Sequence, residues 1–172
     1  MPNTKPVGVA FSDPELTSGT TISGASIDST SKVLSNIASG LTASQQGATI
    51  ATTGNSDVFI IAPAAGVLTS AVFSGVDALA ASDTNFITFS VTNLGTTGSG
   101  SAAMLAATDA NTTKTTGGTA LTANAARTLS LSGTAANLVV AAGDRLRIRA
   151  AATGTLANTV TFPVYRLNFS VA

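Results

Sequence analysis

Residues 85–94, NFITFSVTNL, put Ile87, Phe89 and Val91 at every second position, with Thr88, Ser90 and Thr92 between them. Two is the period of a strand with one face in a core and the other in water. The period returns in RLRIR (145–149), where Leu146 and Ile148 alternate with Arg145, Arg147 and Arg149. The 3.6-residue period of an amphipathic helix is almost absent. Seven or so short strands separated by Gly, Asn and Thr clusters predict an all-β antiparallel sandwich rather than an α/β fold.

Other segments refine this. DVFIIAP (57–63) is a continuous apolar run bounded by Asp57 and Pro63, the pattern of a strand buried on both faces. In VLTSAVFSGV (67–76), Leu68, Val72 and Val76 alternate less cleanly against Thr69 and Ser70. TVTFPVYRLNFSVA (159–172) carries Val160, Phe162 and Val164 in one phase, then Tyr165, Leu167, Phe169 and Val171 in the other. A change of phase needs an extra residue, so a bulge or break is expected near Pro163 to Tyr165. AAMLAAT, RTLSLSG and NLVVAAG read as further short strands, and residues 93–128, with GTTGSGS and TTKTTGGTALTANAA, as long surface loops.

Up to about Gly54 the chain is rich in Ser, Thr, Gly and Ala and poor in large apolar residues. The division expected is an extended N-terminal arm over 1–54 and a sandwich domain over 55–172. A short helix over 31–41, with Ser31 as N-cap and Val33, Leu34, Ile37 and Leu41 on one stripe, is one alternative within the arm. A disordered tail is another.

With 172 residues the chain can form one domain burying roughly two-thirds of its unfolded surface. Aromatics are 5%, so Val, Leu, Ile and Phe must carry the core. Charged residues are 9%, against roughly 25% in an ordinary soluble domain, and the net charge is zero. Such a surface resists self-association weakly, which hints at life in an assembly. The chain has no cysteine and no histidine, which excludes disulfides, thiolate chemistry, Ser-His pairs and the usual zinc sites. The most apolar run, VFIIAPAAGVL, is too short for a spanning helix and is broken by Pro63 and Gly66. MPNTKPVGVAF lacks the apolar region of a secretory signal, so synthesis and assembly in a cytoplasm are expected.

Gly143 and Asp144 supply a turn, after which RLRIR points Leu146 and Ile148 inward and the arginines outward. Arg145, Arg147 and Arg149 are thus a strand face with three possible uses: a solvated surface, a protein–protein interface, or an anion site. A nucleic-acid footprint is disfavoured, since no aromatics interleave with the cations and the chain is neutral. Asp77, Asp83 and Asn85 could offer oxygens to a hard cation, but their spacing matches no known loop and turn chemistry accounts for them better, as for Asp57 and Asp144. GTTGSGS lacks the Lys-Ser/Thr of a phosphate loop. The carboxylates have no tryptophan and only Tyr165 as company, a poor basis for glycoside hydrolysis. No catalytic residue, metal ligand or cofactor is assigned, and a small-molecule ligand is not expected.

PVGVAFSDPELTSGTTISGASID resembles the N-terminal leader of tailed-bacteriophage structural proteins. DVFIIAPAAGVLTSAVFSGVDALAASDTNFITFSVTN with RTLSLSGTAANLVVAAGDRLRIR resembles the capsid decoration, or cement, proteins of those phages. The resemblance implies a jelly-roll β-sandwich, a homotrimer bound to the major capsid protein on the outer surface of the virion, an extending N-terminal segment, and no enzymatic activity. It carries over no individual contact residue. The reading from a different class is a receptor-binding or carbohydrate-binding β-sandwich of a fibre or adhesin.

Overall fold

The computed structural model describes residues 40–171, and the expected arm before Gly40, with all but the last two residues of the helix expected over 31–41, lies outside the described residues. Nine strands form two antiparallel sheets in a sandwich-like, all-β arrangement: β1 (Leu41–Gln46), β2 (Gly54–Ile61), β3 (Gly66–Ser74), β4 (Phe86–Asn93), β5 (Ala102–Ala103), β6 (Arg127–Leu129), β7 (Val139–Val140), β8 (Arg145–Thr153) and β9 (Val164–Val171). The first sheet runs β1-β9-β3-β6, with β7 also pairing β3; the second runs β2-β8-β4-β5.

The core lies between the sheets. Leu68, Ala71, Phe73, Tyr165, Leu167 and Phe169 come from the first, and Val58, Ile60, Ile87, Phe89, Val91, Leu146 and Ile148 from the second, all nearly solvent-free. Because aromatics are scarce, three of them are stacked at the centre. Phe73 meets Phe89 across the sheets at a centroid distance of 4.7 Å and Tyr165 at 5.4 Å. Such tilted pairs add to the burial they already contribute. Ile87, Phe89, Val91, Leu146 and Ile148 are inward, as their alternation predicts.

Several expectations are corrected. Leu41 opens β1, which pairs with β9 from Leu41↔Phe169 to Gln46↔Val164, and Ile50 is fully buried and bridged to Val160. The sandwich therefore begins by Leu41, and the boundary at residues 54–55 falls inside β2. In β3 the register shifts between Leu68 and Ser70, and beyond that bulge Ala71 and Phe73 are inward while Val72 and Val76 turn outward. One extra residue flips every side chain that follows. At the C-terminal end the break falls at Phe162–Pro163: Val160 is buried, Phe162 has φ 46° and is 63% exposed, and β9 starts at Val164 with Tyr165 setting the inward phase.

Residues 93–128 are short of strand but not loose. Asn111, Thr112 and Thr113 are buried there. The Asn111 amide donates to the Ala106 and Ser130 carbonyls at 2.8 and 2.9 Å and accepts from the Ser130 N–H at 2.7 Å. Thr113 Oγ1 accepts from the Ile87 N–H at 2.8 Å. Arg127 on β6 donates to the carbonyls of Thr119 (2.9 Å), Ala110 (2.8 Å) and Thr112 (2.6 Å), and its guanidinium lies 5.4 Å from the Phe89 ring centroid. Partial burial lowers its pKa, but the carbonyls keep the charge satisfied. One arginine thus fastens the irregular segment to both sheets.

Candidate partner interface

The three arginines fall where RLRIR places them, on the outer face of the second sheet. Arg145, Arg147 and Arg149 stand opposite Ile61, Phe59 and Asp57 of β2, and on the other side Arg147 and Arg149 stand opposite Thr92 and Ser90 of β4. Directly opposed side chains on one face are in contact range, so this register fixes the chemistry of the surface.

The three are not equivalent. Arg149 Nε and Nη2 donate to Asp57 Oδ1 and Oδ2, each at 2.6 Å, in the two-pronged geometry that suits a guanidinium and a carboxylate. That hydrogen bonding holds the Asp57 carboxyl below the usual carboxylate range, with further attraction from Arg149 and Arg147, and it raises the pKa of Arg149. Among the described residues Arg145 and Arg147 have no carboxylate at ion-pair distance, and Arg147 Nε is enclosed without a hydrogen-bond partner. Three guanidinium groups against the one Asp57 carboxylate leave two positive charges on the face.

DVFIIAP also needs correction. Val58, Ile60 and Ala62 are buried, but Phe59 is 55% exposed and Ile61 56% exposed, so the strand is covered on one face and not on both. The second sheet supplies its outer layer from a single side, and nothing else among the described residues closes over β2. Phe59 and Ile61 beside Arg147 and Arg145 make an apolar and cationic stripe that the alternation of β8 alone does not reveal. The signal for it in the sequence is that the outward positions of β2 change from Asn55 and Asp57 to Phe59 and Ile61.

Beyond β4 the face continues into a groove of about 460 Å³ lined by Phe86, Thr88, Ser90, Thr92, Ala103 and Leu105 among others. At one end Lys114 Nζ donates to Asp109 Oδ1 at 2.8 Å and lies 4.9 Å from the Phe86 ring centroid. The Thr88, Ser90 and Thr92 hydroxyls point outward from β4 and take no hydrogen bond from the described residues.

The oxygens weighed for a cation are not brought together. Asp77 Oδ2 accepts from Thr161 N at 2.7 Å and Thr161 Oγ1 at 2.6 Å, and Asp83 accepts from Thr116 N at 2.8 Å and Thr116 Oγ1 at 3.0 Å. Both carboxyls are held below their ordinary pKa by these hydrogen bonds. Asn85 Oδ1 instead accepts from Thr155 N at 3.1 Å, across the tight turn where Gly154 takes φ +67°. A side chain at Gly154 would collide with Asn85. Each is a loop clamp. Asp144 does the same for the turn before β8, its Oδ2 accepting from Ala141 N and Asn93 Nδ2, both at 2.8 Å.

Among the described residues no three acidic side chains gather as a metal site, and no helix is long and apolar enough to cross a membrane. Comparison of the chain with protein-family models, curated proteins and solved structures finds no match.

Proposed function

We propose that the chain is a structural protein of a virion: a non-enzymatic cement protein that binds the outer surface of a tailed-phage capsid and clamps adjacent capsid subunits. The observation that carries this reading is the division of labour among the polar groups. Asp57, Asp77, Asp83, Asp109 and Asp144, the carboxylates of the described residues, each hold a strand, turn or loop in place. Of the side chains left without an internal task, Phe59, Ile61, Arg145 and Arg147 are the ones that bring exposed apolar groups and unpaired cations together, on one outer face. Such a molecule is equipped to bind a surface.

The strand order adds support. In β1-β9-β3-β6 over β2-β8-β4-β5 the first and last strands are neighbours, and successive strands mostly alternate between sheets. Such an order supports a jelly roll, the fold that the resemblance to decoration proteins implies. A cement protein binds the closed lattice and not its dissociated subunits, so mass action favours the shell. A homotrimer would add avidity, because one docked subunit holds its neighbours at high local concentration.

The test is the copy number of the protein in purified virions, measured against the major capsid protein by quantitative mass spectrometry. A ratio near equimolar, or one trimer per three-fold position, is expected. A few copies per particle, or none, contradicts lattice decoration. The carbohydrate-binding reading has one observation in its favour, the β4 groove with its three outward hydroxyls. Reproducible hits on a glycan array, abolished by filling the groove with Ser90→Tyr, would establish it instead.

A further inference from the structure

We infer that the outer face of β2 and β8 is the docking surface, and that the partner surface it takes is a protein segment bearing carboxylates together with apolar side chains. The inference rests on the decoration reading, which makes that partner a capsid protein.

Three observations on the face converge. Phe59 and Ile61 stand more than half exposed on β2, an edge strand that among the described residues pairs only with β8. An apolar strand left bare at a sheet edge is a liability that folded chains usually blunt with a charge or cover with another segment. Here the charges lie one strand in, as Arg147 opposite Phe59 and Arg145 opposite Ile61. Those two arginines lack an ion-pair partner among the described residues, although Arg149 on the same strand is paired through Nε and Nη2 with both oxygens of Asp57. The enclosed Nε of Arg147 has no acceptor, a cost that a carboxylate drawing the guanidinium to itself removes.

Charge complementarity decides the occupant. A second copy meeting this face with its own would set arginine against arginine, so self-pairing through it is opposed. Nucleic acid would meet only two free cations and two apolar side chains, far short of the phosphate contacts that drive such binding. A protein surface with carboxylates spaced to meet Arg145 and Arg147, about 7 Å apart along β8, and apolar groups over Phe59 and Ile61, satisfies all four side chains at once. A few aromatic and arginine side chains that lose their water on docking carry most of the binding energy of an interface.

The experiment titrates the full-length protein onto shells of the parent phage that carry none of it. The double variant Arg145→Glu/Arg147→Glu is expected to bind at least about a hundredfold more weakly. Phe59→Ser/Ile61→Ser should lose about tenfold or more. Arg166→Glu, on the outer face of the other sheet, is expected to bind as the wild type does. All three replace partly or fully exposed side chains, and matching thermal unfolding curves exclude a folding defect. Arg147→Lys with a carbodiimide should yield an amide between the lysine Nζ and an Asp or Glu of the capsid protein, mapped by mass spectrometry. Wild-type protein that saturates shells while the charge reversal binds equally well overturns this face and leaves decoration standing. Wild-type protein that does not bind shells at all overturns the decoration reading and the inference together. Single-stranded DNA binding lost in the charge reversal overturns a protein partner.

Discussion

The two outer faces of the sandwich are built from strands of similar length around one core, yet they differ in what they leave uncovered. On the first sheet, Thr42 and Ser44 of β1, Asn168 and Ser170 of β9 and Ser70 and Ser74 of β3 make a hydroxyl and amide surface, partly bonded to itself, as where Thr42 Oγ1 donates to Asn168 Oδ1 at 2.9 Å. Its one cation among the described residues, Arg166, stands between Ser44 and the half-buried Val72. Its exposed apolar groups, Val67 and Val139, form a pair at one corner with no charge beside them. On the second sheet, Phe59 and Ile61 lie against Arg147 and Arg145. On the first face the only apolar side chain opposite the cation, among the described residues, is the half-buried Val72. The second holds apolar area and charge that a partner would satisfy, and the contrast within one molecule is what singles it out.

The comparison presumes that both faces rest on one cooperative core, and the largest expected effect tests that. Phe73→Ala removes the ring that joins Phe89 of one sheet to Tyr165 of the other, and should lower unfolding free energy by about 3–5 kcal/mol. Hydrogen exchange should then accelerate in β8 and β9 together. Acceleration in β9 alone would mean two loosely coupled sheets and would break the comparison.

Arg127→Met should cost about 2 kcal/mol, because three carbonyls lose a charged donor and the 110–119 segment loses its tie to β6. Chemical denaturation measures it. An unchanged midpoint would show that segment to be held by Asn111 and Thr113 without help.

Acid should weaken the fold in a defined direction. Asp57, Asp77 and Asp83 have folded pKa values below the ordinary one, so their contributions are fully present above it and are lost as pH falls through the lowered values. With no histidine in the chain, the melting temperature should stay nearly flat between about pH 5 and 8 and drop below about pH 4. In Asp57→Asn the acid drop should shrink, and on the second face alone Arg149 should become a third free cation. A steep change near neutrality would contradict this.

The smallest effect concerns the shared core. The Tyr165 hydroxyl is enclosed without a partner, and burial pushes its pKa above the usual phenol range. Tyr165→Phe should therefore be neutral or raise stability by about 1 kcal/mol. A clear loss would show that the hydroxyl has an acceptor.

What was legible in the sequence was the local period. NFITFSVTNL and RLRIR alternate without interruption, and their inward and outward sides are as expected. The phase of β3 was not legible, because a bulge at Thr69 depends on pairing with Asn168 of a strand about a hundred residues away; Thr69 Oγ1 donates to the Asn168 carbonyl at 3.1 Å. β1 leaves little trace in the sequence because LTASQQ carries a single large apolar residue and is held by its ladder to β9. The loop network leaves none, because one buried Asn111 or one shared Arg127 has no period. Phe59 and Ile61 mark a different limit. An apolar run predicts cover on both faces of a strand, and for β2 the described residues supply it on one.

The most direct test of the contrast between the faces is hydroxyl-radical footprinting of the protein on purified particles against the free protein, with oxidation read residue by residue. The account predicts that Phe59 and Ile61 are protected severalfold on the particle while Val67 and Val139 of the first face oxidise as in the free protein. Phe59 oxidised equally in both states, with protection instead at Val67 and Val139 or at the exposed Phe162, would contradict it.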